Sequence, residues 1–471
     1  MNFKFQISNL FVIFVCISLF STAFAQTDAV DKFVQNQMAE HHIPGVAIAV
    51  VKNGKVFKTK GYGVASVEFN APVTTETVFE IGSVSKQITA AAIMLLVEDG
   101  KINLDDKISK FLPDTPEAWK DVTVRHLLTH TSGVKSYTSL GGFQLSKRYK
   151  IKNFINELRP QPLDFEPGSD YKYSNSGYSL LGYIIESASG KNYWEFLRER
   201  IFKPLKMDKT ADRDPQFVIR NRATGYEWEN GRLVGRDYEL TDLFSAGAIV
   251  STAEDLAKWN IALQDETILK NSSKNESWKP FTLNSGKENS YGFGWGILDF
   301  RGQHLISHGG QTAGFAANNS RYVDADLSVI VLTNLGTQGL GSSIARGIAK
   351  IYIPSISLKT LKPAPEADAK VSKMIKTTLE EILNNKLESE MLTKDLVQTL
   401  STERSKTEYK RIASFGKIKK MDFVGKEISD DKTIYRYRVE TPKKLLLWRF
   451  AVNDKSKILQ ISLEEEEELN Q

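Results

Sequence analysis

A chain of 471 residues with 41% hydrophobic, 25% charged and 10% aromatic residues has the make-up of an ordinary globular protein and length for two or three domains. The formal charge of +5 is spread thinly, with Lys and Arg interleaved with Asp and Glu. No basic block exists to neutralise nucleic-acid phosphates, so a nucleic-acid partner is excluded.

The first 25 residues have the form of a secretory signal peptide. Lys4 supplies the positive start, Leu10–Phe20 the apolar stretch, and Ala23-Phe24-Ala25 the small-residue cleavage site. Cleavage would begin the mature chain at Gln26, and the protein is expected to be exported, either periplasmic or secreted. An uncleaved anchor is the alternative, although the stretch is short of the ~20 residues of a membrane span. The only cysteine, Cys16, lies inside this stretch, and the bulky Val15 before it argues against lipid modification. A mature chain without a thiol excludes thiol catalysis, disulfides and cysteine-ligated zinc. No later stretch is long and apolar enough to span a membrane.

Residues 26–356 read as one α/β unit. Gly45–Lys52 and Lys55–Tyr62 are β-rich runs joined by Asn53-Gly54, a hairpin signal. Val84–Asp99 is apolar on nearly every face and ends at Gly100, the pattern of a buried helix. Further helices are expected at Leu180–Ser187 and Trp194–Ile201. Strands follow at Gly292–Asp299, Gln303–His308, Ala316–Val323 and Leu327–Asn334. Strands, a mostly helical middle, then strands again imply a sheet whose first and last strands pair around a helical insertion.

Three short stretches carry chemistry. In Ile81-Gly82-Ser83-Val84-Ser85-Lys86, Ser83 and Lys86 are three apart and share a helix face. A serine hydroxyl needs a neighbouring base to become a nucleophile, and lysine serves only where burial depresses its pKa. Taken alone, the spacing fits a capping serine and a surface lysine better. In Tyr173-Ser174-Asn175, just before a helical run, a phenol and an amide two residues apart could project into one cleft, the phenol to relay protons and the amide to orient lysine or substrate, although taken alone the stretch fits a core tyrosine beside a helix-capping asparagine better. In His304–Phe315, a β-like run enters His308-Gly309-Gly310-Gln311. Glycines there allow close approach to the strand backbone, whose N–H groups can hold an oxyanion, although taken alone the stretch fits a plain strand ending in a Gly-Gly turn better.

Together, and in this order, the three stretches resemble the S-x-x-K, Y-x-N and H-x-G motifs of the serine β-lactamase and penicillin-binding-protein superfamily, in its class C-like esterase and D-aminopeptidase branch. Val124–Gly133, Ser245–Thr252 and Tyr291–Trp295 also look familial, and the resemblance covers roughly residues 30–350. It implies an antiparallel sheet of the β-lactamase/transpeptidase type with a helical subdomain. It implies Ser83 as the acylated nucleophile, Lys86 and Tyr173 as proton carriers, and Asn175 as the residue that positions lysine and substrate. The N–H groups of Ser83 and Gln311 would form the oxyanion hole. His308 and Gly309 replace a lysine and a threonine that meet the β-lactam carboxylate, which disfavours β-lactams as substrates. With an ordinary pKa of about 6.5, His308 would gain charge as pH falls towards ~6 and then meet a carboxylate.

The expected activity is that of an exported serine hydrolase acting through an acyl-enzyme on an ester or small amide, such as a D-amino-acid peptide. The alternatives are a DD-peptidase or weak β-lactamase, and a catalytically silent cell-wall-peptide binder. No cofactor is implied. The pairs His126/His130 and His304/His308 have a spacing that can hold zinc, but Leu127 and Leu305 stand where a zinc hydrolase needs Glu, so no metal is expected. His126 and His130 read as structural residues near the cleft.

Residues 357–366 read as a linker, flanked or punctuated by Pro354, Pro363 and Pro365. Beyond it, 367–471 reads as a small α+β domain resembling cystatin-like or nuclear-transport-factor-like domains. Its helices are expected at Ala367–Asn385 and Glu388–Leu400, and its strands at Ile418–Val424, Thr433–Glu440, Leu445–Val452 and Lys457–Leu463. The acidic run Glu464–Glu468 reads as a solvated tail.

Overall fold

The computed structural model describes residues 29–141, 151–214, 216–236, 240, 243–365, 368–384, 386, 390–429 and 432–469. The segment read as a signal peptide and the expected start at Gln26 lie outside them. Two compact units divide between Ala349 and Lys350. No helix among the described residues is long and apolar enough to cross a membrane.

The first unit is built on a seven-stranded antiparallel sheet. In chain order the strands are β1 (Gly45–Lys52), β2 (Lys55–Ser66), β3 (Ala71–Pro72), β4 (Gly296–Asp299), β5 (His304–Thr312), β6 (Phe315–Tyr322) and β7 (Leu327–Thr333). Across the sheet they run β3-β2-β1-β7-β6-β5-β4. The first and last long strands therefore pair, from Val46 with Thr333 to Lys52 with Leu327, as the element order implied. Both are continuous apolar runs because both faces of the sheet are covered there, and all but Lys52 of β1 and all of β7 are buried. Asn53 and Gly54 turn the β1–β2 hairpin with φ of 50° and 72°, the left-handed pair such a turn requires.

The helical middle packs on this sheet through α1 (Ser85–Glu98) and α2 (Asn175–Ser189). Of the 14 residues of α1, 12 are buried, and one apolar core runs from Ile88 and Leu95 through Leu181 and Trp259 to Ile306 and Ile330. The segment expected to be helical from Trp194 is an α-helix over Tyr193–Leu197 that continues as a π-helix over Arg198–Phe202. Residues 292–295, expected to begin a strand, instead form a turn closed by Gly292 N–H on Trp295 O at 2.9 Å. Gly294, at φ 77°, lies where a Cβ would come 2.6 Å from Lys86 O, so the turn is pressed against α1.

The second unit is α+β. Four strands, β8 (Lys420–Ser429), β9 (Lys432–Glu440), β10 (Lys444–Val452) and β11 (Ile458–Glu468), form an antiparallel meander. Helices α3 (Ala369–Leu383), α4 (Lys394–Leu400) and α5 (Glu403–Ala413) share a core with it that includes Ile375, Leu396, Ile412, Trp448 and Phe450. The helix expected from Glu388 begins at Lys394, and residues 387–389 lie outside the described set. In the stretch read as a linker, Leu358 is fully buried against Leu445 and Leu447.

The acidic run is not a solvated tail. It is the last half of β11, and successive carboxylates alternate between faces that both carry cations. Glu465 and Glu467 meet the Lys350 ammonium group, Glu467 at 2.9 Å. Glu466 meets Arg411 and Lys444, and Glu464 meets Arg436 at 3.0 Å.

Candidate active site

Ser83 lies in a single 3-10 turn, Gly82–Val84, which feeds directly into α1. The three-residue spacing then brings Lys86 Nζ to 3.0 Å from Ser83 Oγ. The same side-chain nitrogen donates to Asn175 Oδ1 at 2.8 Å and to the Ala246 carbonyl at 2.7 Å. It lies 4.9 Å from the centre of the Tyr173 ring and 5.5 Å from that of Tyr178. Lys86 is fully buried, and among the described residues no carboxylate pairs with it. Desolvation therefore holds its pKa well below the ordinary lysine value.

The Tyr-x-Asn loop is held from below. Ser174 caps α2 by accepting from Gly177 N–H, which aims Asn175 from the first turn of the helix. Ser174 N–H donates to His130 Nδ1 at 3.1 Å, and Lys172 N–H donates to His130 O at 3.0 Å. Asn175 N–H donates to Ser136 Oγ at 3.1 Å. The Tyr173 hydroxyl hydrogen-bonds Ser83, while burial raises its pKa, so it is a neutral phenol.

On the other side, β5 passes the Ser83 turn at backbone distance. A Cβ on Gly310 would come 1.9 Å from Ile81 O and 3.1 Å from Ser83 N, and one on Gly82 would come 2.7 Å from Gln311 N. The main-chain nitrogens of Ser83 and Gln311 are thus brought side by side by two glycines that leave room for nothing else. Gln311 keeps only its main chain for the site, because its amide donates to Gly336 O at 3.0 Å. Gly309 faces elsewhere. A Cβ there would meet Ser342 Oγ at 3.3 Å.

His308 is 8% exposed, and both ring nitrogens already have partners. Nδ1 contacts Gly309 O at 2.6 Å, and a carbonyl can only accept, so Nδ1 carries the proton. Nε2 then accepts from the Tyr291 hydroxyl at 2.8 Å. Burial pushes the His308 pKa down to about 4, and the bond to Gly309 O pulls it back only in part. The expectation of a charge near pH 6 is corrected by this burial.

The four residues Ser83, Lys86, Tyr173 and Asn175 come together as the sequence suggested, with His308, Gly310 and Gln311 along the neighbouring strand. Sequence reasoning passed over the Ala246 carbonyl and the aromatic wall of Tyr178 and Tyr291, whose rings lie 5.0 and 4.6 Å from the His130 ring. Tyr291 and Ala246 lie within stretches singled out as familial, but nothing local shows which atoms face the site. The histidine pairs diverge. His126 accepts from Thr123 N–H in a helix cap, and His304 is exposed at the start of β5.

The beta-lactamase family pattern matches residues 30–352. The chain belongs to the beta-lactamase family. It is 30% identical over 320 residues to protein flp of Staphylococcus aureus (strain NCTC 8325 / PS 47), a match covering 66% of this chain and 63% of that protein. The chain thus spans about 63% of the length of that curated relative. The crystal structure of D-amino acid amidase from Ochrobactrum anthropi SV3 is similar, with a TM-score of 0.61 and 28% identity over 70% of this chain and 98% of that one. The structure of the octameric penicillin-binding protein homologue from Pyrococcus abyssi gives a TM-score of 0.62 at 25% identity, over 93% and 99% of the two chains. The antiparallel sheet with its helical insertion is the β-lactamase/transpeptidase-like fold expected of the family.

Proposed function

We propose that this protein is a serine hydrolase that works through an acyl-enzyme at Ser83. The observation that carries the reading is the set of partners of Lys86. A neutral amine has two N–H groups and one lone pair. Asn175 Oδ1 and Ala246 O take the two protons, so the lone pair faces Ser83 Oγ across 3.0 Å. Burial without a carboxylate keeps the amine neutral enough to accept the hydroxyl proton.

In the proposed reaction the serine oxygen attacks a carbonyl carbon as its proton passes to Lys86. The carbonyl oxygen becomes an oxyanion held by the N–H groups of Ser83 and Gln311. The leaving group takes a proton from Tyr173 or Lys86, and water then attacks the acyl carbon through the same groups in reverse. His308 acts one step back: it fixes the Gly309 carbonyl and the Tyr291 hydroxyl without presenting a free nitrogen. A fluorophosphonate should label one residue, Ser83, and the Ser83→Ala protein should stay unlabelled by intact mass. Equal labelling of both would overturn the assignment.

For the substrate we infer a small ester or an amide of a D-amino acid or D-peptide. The similarity to a D-amino acid amidase supports the amide. The neutral His308 supports acyl groups without a carboxylate at that strand. A lost charge-assisted hydrogen bond costs roughly 1.5–3 kcal/mol, about ten- to a hundredfold in rate. A short-chain nitrophenyl ester should therefore show a higher kcat/KM than a chromogenic cephalosporin. Because His308 titrates only near 4, that ratio should not turn towards the cephalosporin between pH 8 and pH 6. A cephalosporin turned over faster would put the β-lactamase reading first. The signal-like pattern of residues 1–25 supports an exported site of action.

A further inference from the structure

A buried carboxylate outside this proton machinery joins the two segments that would face the reacting carbonyl. Glu80 is 2% exposed and ends the two-residue strand Phe79–Glu80, which pairs with Ile249–Ser251, three residues ahead of Ser83. Its Oε2 accepts from Thr312 Oγ1 at 2.7 Å, and Thr312 is the last residue of β5, next to Gln311. Its Oε1 accepts from Arg213 Nε at 3.3 Å, and Arg213 N–H is itself fixed on Ala248 O at 2.9 Å. Burial pushes the Glu80 carboxyl up to about 7, while Thr312, Arg213 and Arg222 pull it back.

The turn at 81–83 and the strand at 310–311 meet through glycine backbone, contacts that exclude atoms but do not fix an angle. Among the described residues, Glu80–Thr312 is the one hydrogen bond that ties residues 79–84 to β5. A short buried bond to a carboxyl group is directional and little screened by solvent.

We propose that Glu80 is a positioning residue: by holding Thr312 it sets the spacing between the Ser83 and Gln311 N–H groups, and so the stabilisation of the oxyanion. The proposal rests on the acyl-enzyme reading above. It places a residue that touches no substrate in control of a quantity expressed mainly in the transition state, which raises kcat more than it lowers KM.

The test compares Thr312→Val, Thr312→Ser and Glu80→Gln with the unmodified protein. The measurements are kcat and KM for a nitrophenyl ester, the inhibition constant of an arylboronic acid that forms a tetrahedral adduct on serine, fluorophosphonate labelling, and Tm. Thr312→Val should lose about tenfold or more in kcat, since misplacing a reacting group by ~1 Å can cost ~10²-fold. Its KM should stay within about twofold, uniform binding being unaffected. Boronate inhibition should weaken by the same factor as kcat, and Thr312→Ser should restore both. Glu80→Gln should fall between, since its amide oxygen can still accept from Thr312. Unchanged kcat and boronate inhibition in Thr312→Val overturn the proposal, as does a loss confined to KM or one that follows Tm and is not rescued by Thr312→Ser. An unmodified protein that is not labelled at Ser83 overturns the acyl-enzyme reading itself, which separates the two failures.

Discussion

Replacing Lys86 with alanine should lower kcat by at least about 10²-fold, since a positioned general base contributes roughly 10²–10⁴. Tyr173→Phe should lose a comparable factor, because it removes the hydroxyl that bonds Ser83 while keeping the ring. Neither change should unfold the protein. Lys86 buries an amine without a counter-charge, so its removal also removes a desolvation cost. The pH dependence of stability gives a second readout. The native pKa of Lys86 lies well below its ordinary value, and the unfolded pKa is about 10.4. Between the two, the unfolded chain binds a proton that the native chain does not. Stability from this residue therefore rises with pH through that window and falls as pH is lowered. Lys86→Met should lose that slope in Tm measured from pH 7 to pH 9.5. A variant that keeps the slope would show that Lys86 is charged in the native protein. One that keeps its turnover would show that another base serves Ser83.

The second large effect is expected at Gly310. Its replacement by alanine puts a methyl group 1.9 Å from Ile81 O, far inside any real contact, and the obstacle is backbone rather than a side chain that can swing away. The turn and the strand must part, and the Gln311 N–H leaves the position next to Ser83. Loss of one oxyanion donor costs about 10²–10³-fold in kcat, so a fall of at least ~10² is expected together with a lower Tm. Gly309→Ala is the control. Its methyl group would meet Ser342 Oγ at 3.3 Å, a hydroxyl that can rotate, and Ala317 O at an ordinary contact of 3.9 Å. It should keep most of the activity. Full activity in Gly310→Ala would show that this contact does not set the geometry, and equal losses in both variants would show general damage to β5.

Much of this was legible in the sequence because the features are local. The Ser83–Lys86 contact follows from three residues on one helix, the β1–β2 turn from Asn53-Gly54, and the burial of α1 from its unbroken apolar run. The order of strands and helices was enough to pair β1 with β7. What could not be read depends on residues far apart. The Tyr291 hydroxyl that occupies His308 Nε2 belongs to another segment, and so does the Ala246 carbonyl that takes a Lys86 proton. His308 accordingly looked like a titratable group, although its surroundings keep it neutral. Five consecutive glutamates have low strand propensity and read as a tail. Lys350, Arg411, Arg436 and Lys444, all distant in sequence, override that propensity. Helix α5 went unforeseen because its exposed face is almost wholly charged and only Ile412 is deeply buried.

The pairing of Val46 with Thr333 has a consequence for how the chain is made. At roughly 5–20 residues per second, β7 emerges from the ribosome some tens of seconds after β1. In that interval the hairpin covers one edge of β1 with β2 and leaves the other edge without its partner. Ser83 and Lys86 are synthesised early, yet the strand that lies against them arrives only with residues 304–312. No N-terminal fragment ending before β5 can bring the His308–Gln311 strand against Ser83 and Lys86, and the nascent chain holds an apolar eight-residue strand unpaired on one side until the first unit is almost finished. Translation, more than local helix formation, therefore sets the earliest moment at which this hydrolase fold can close.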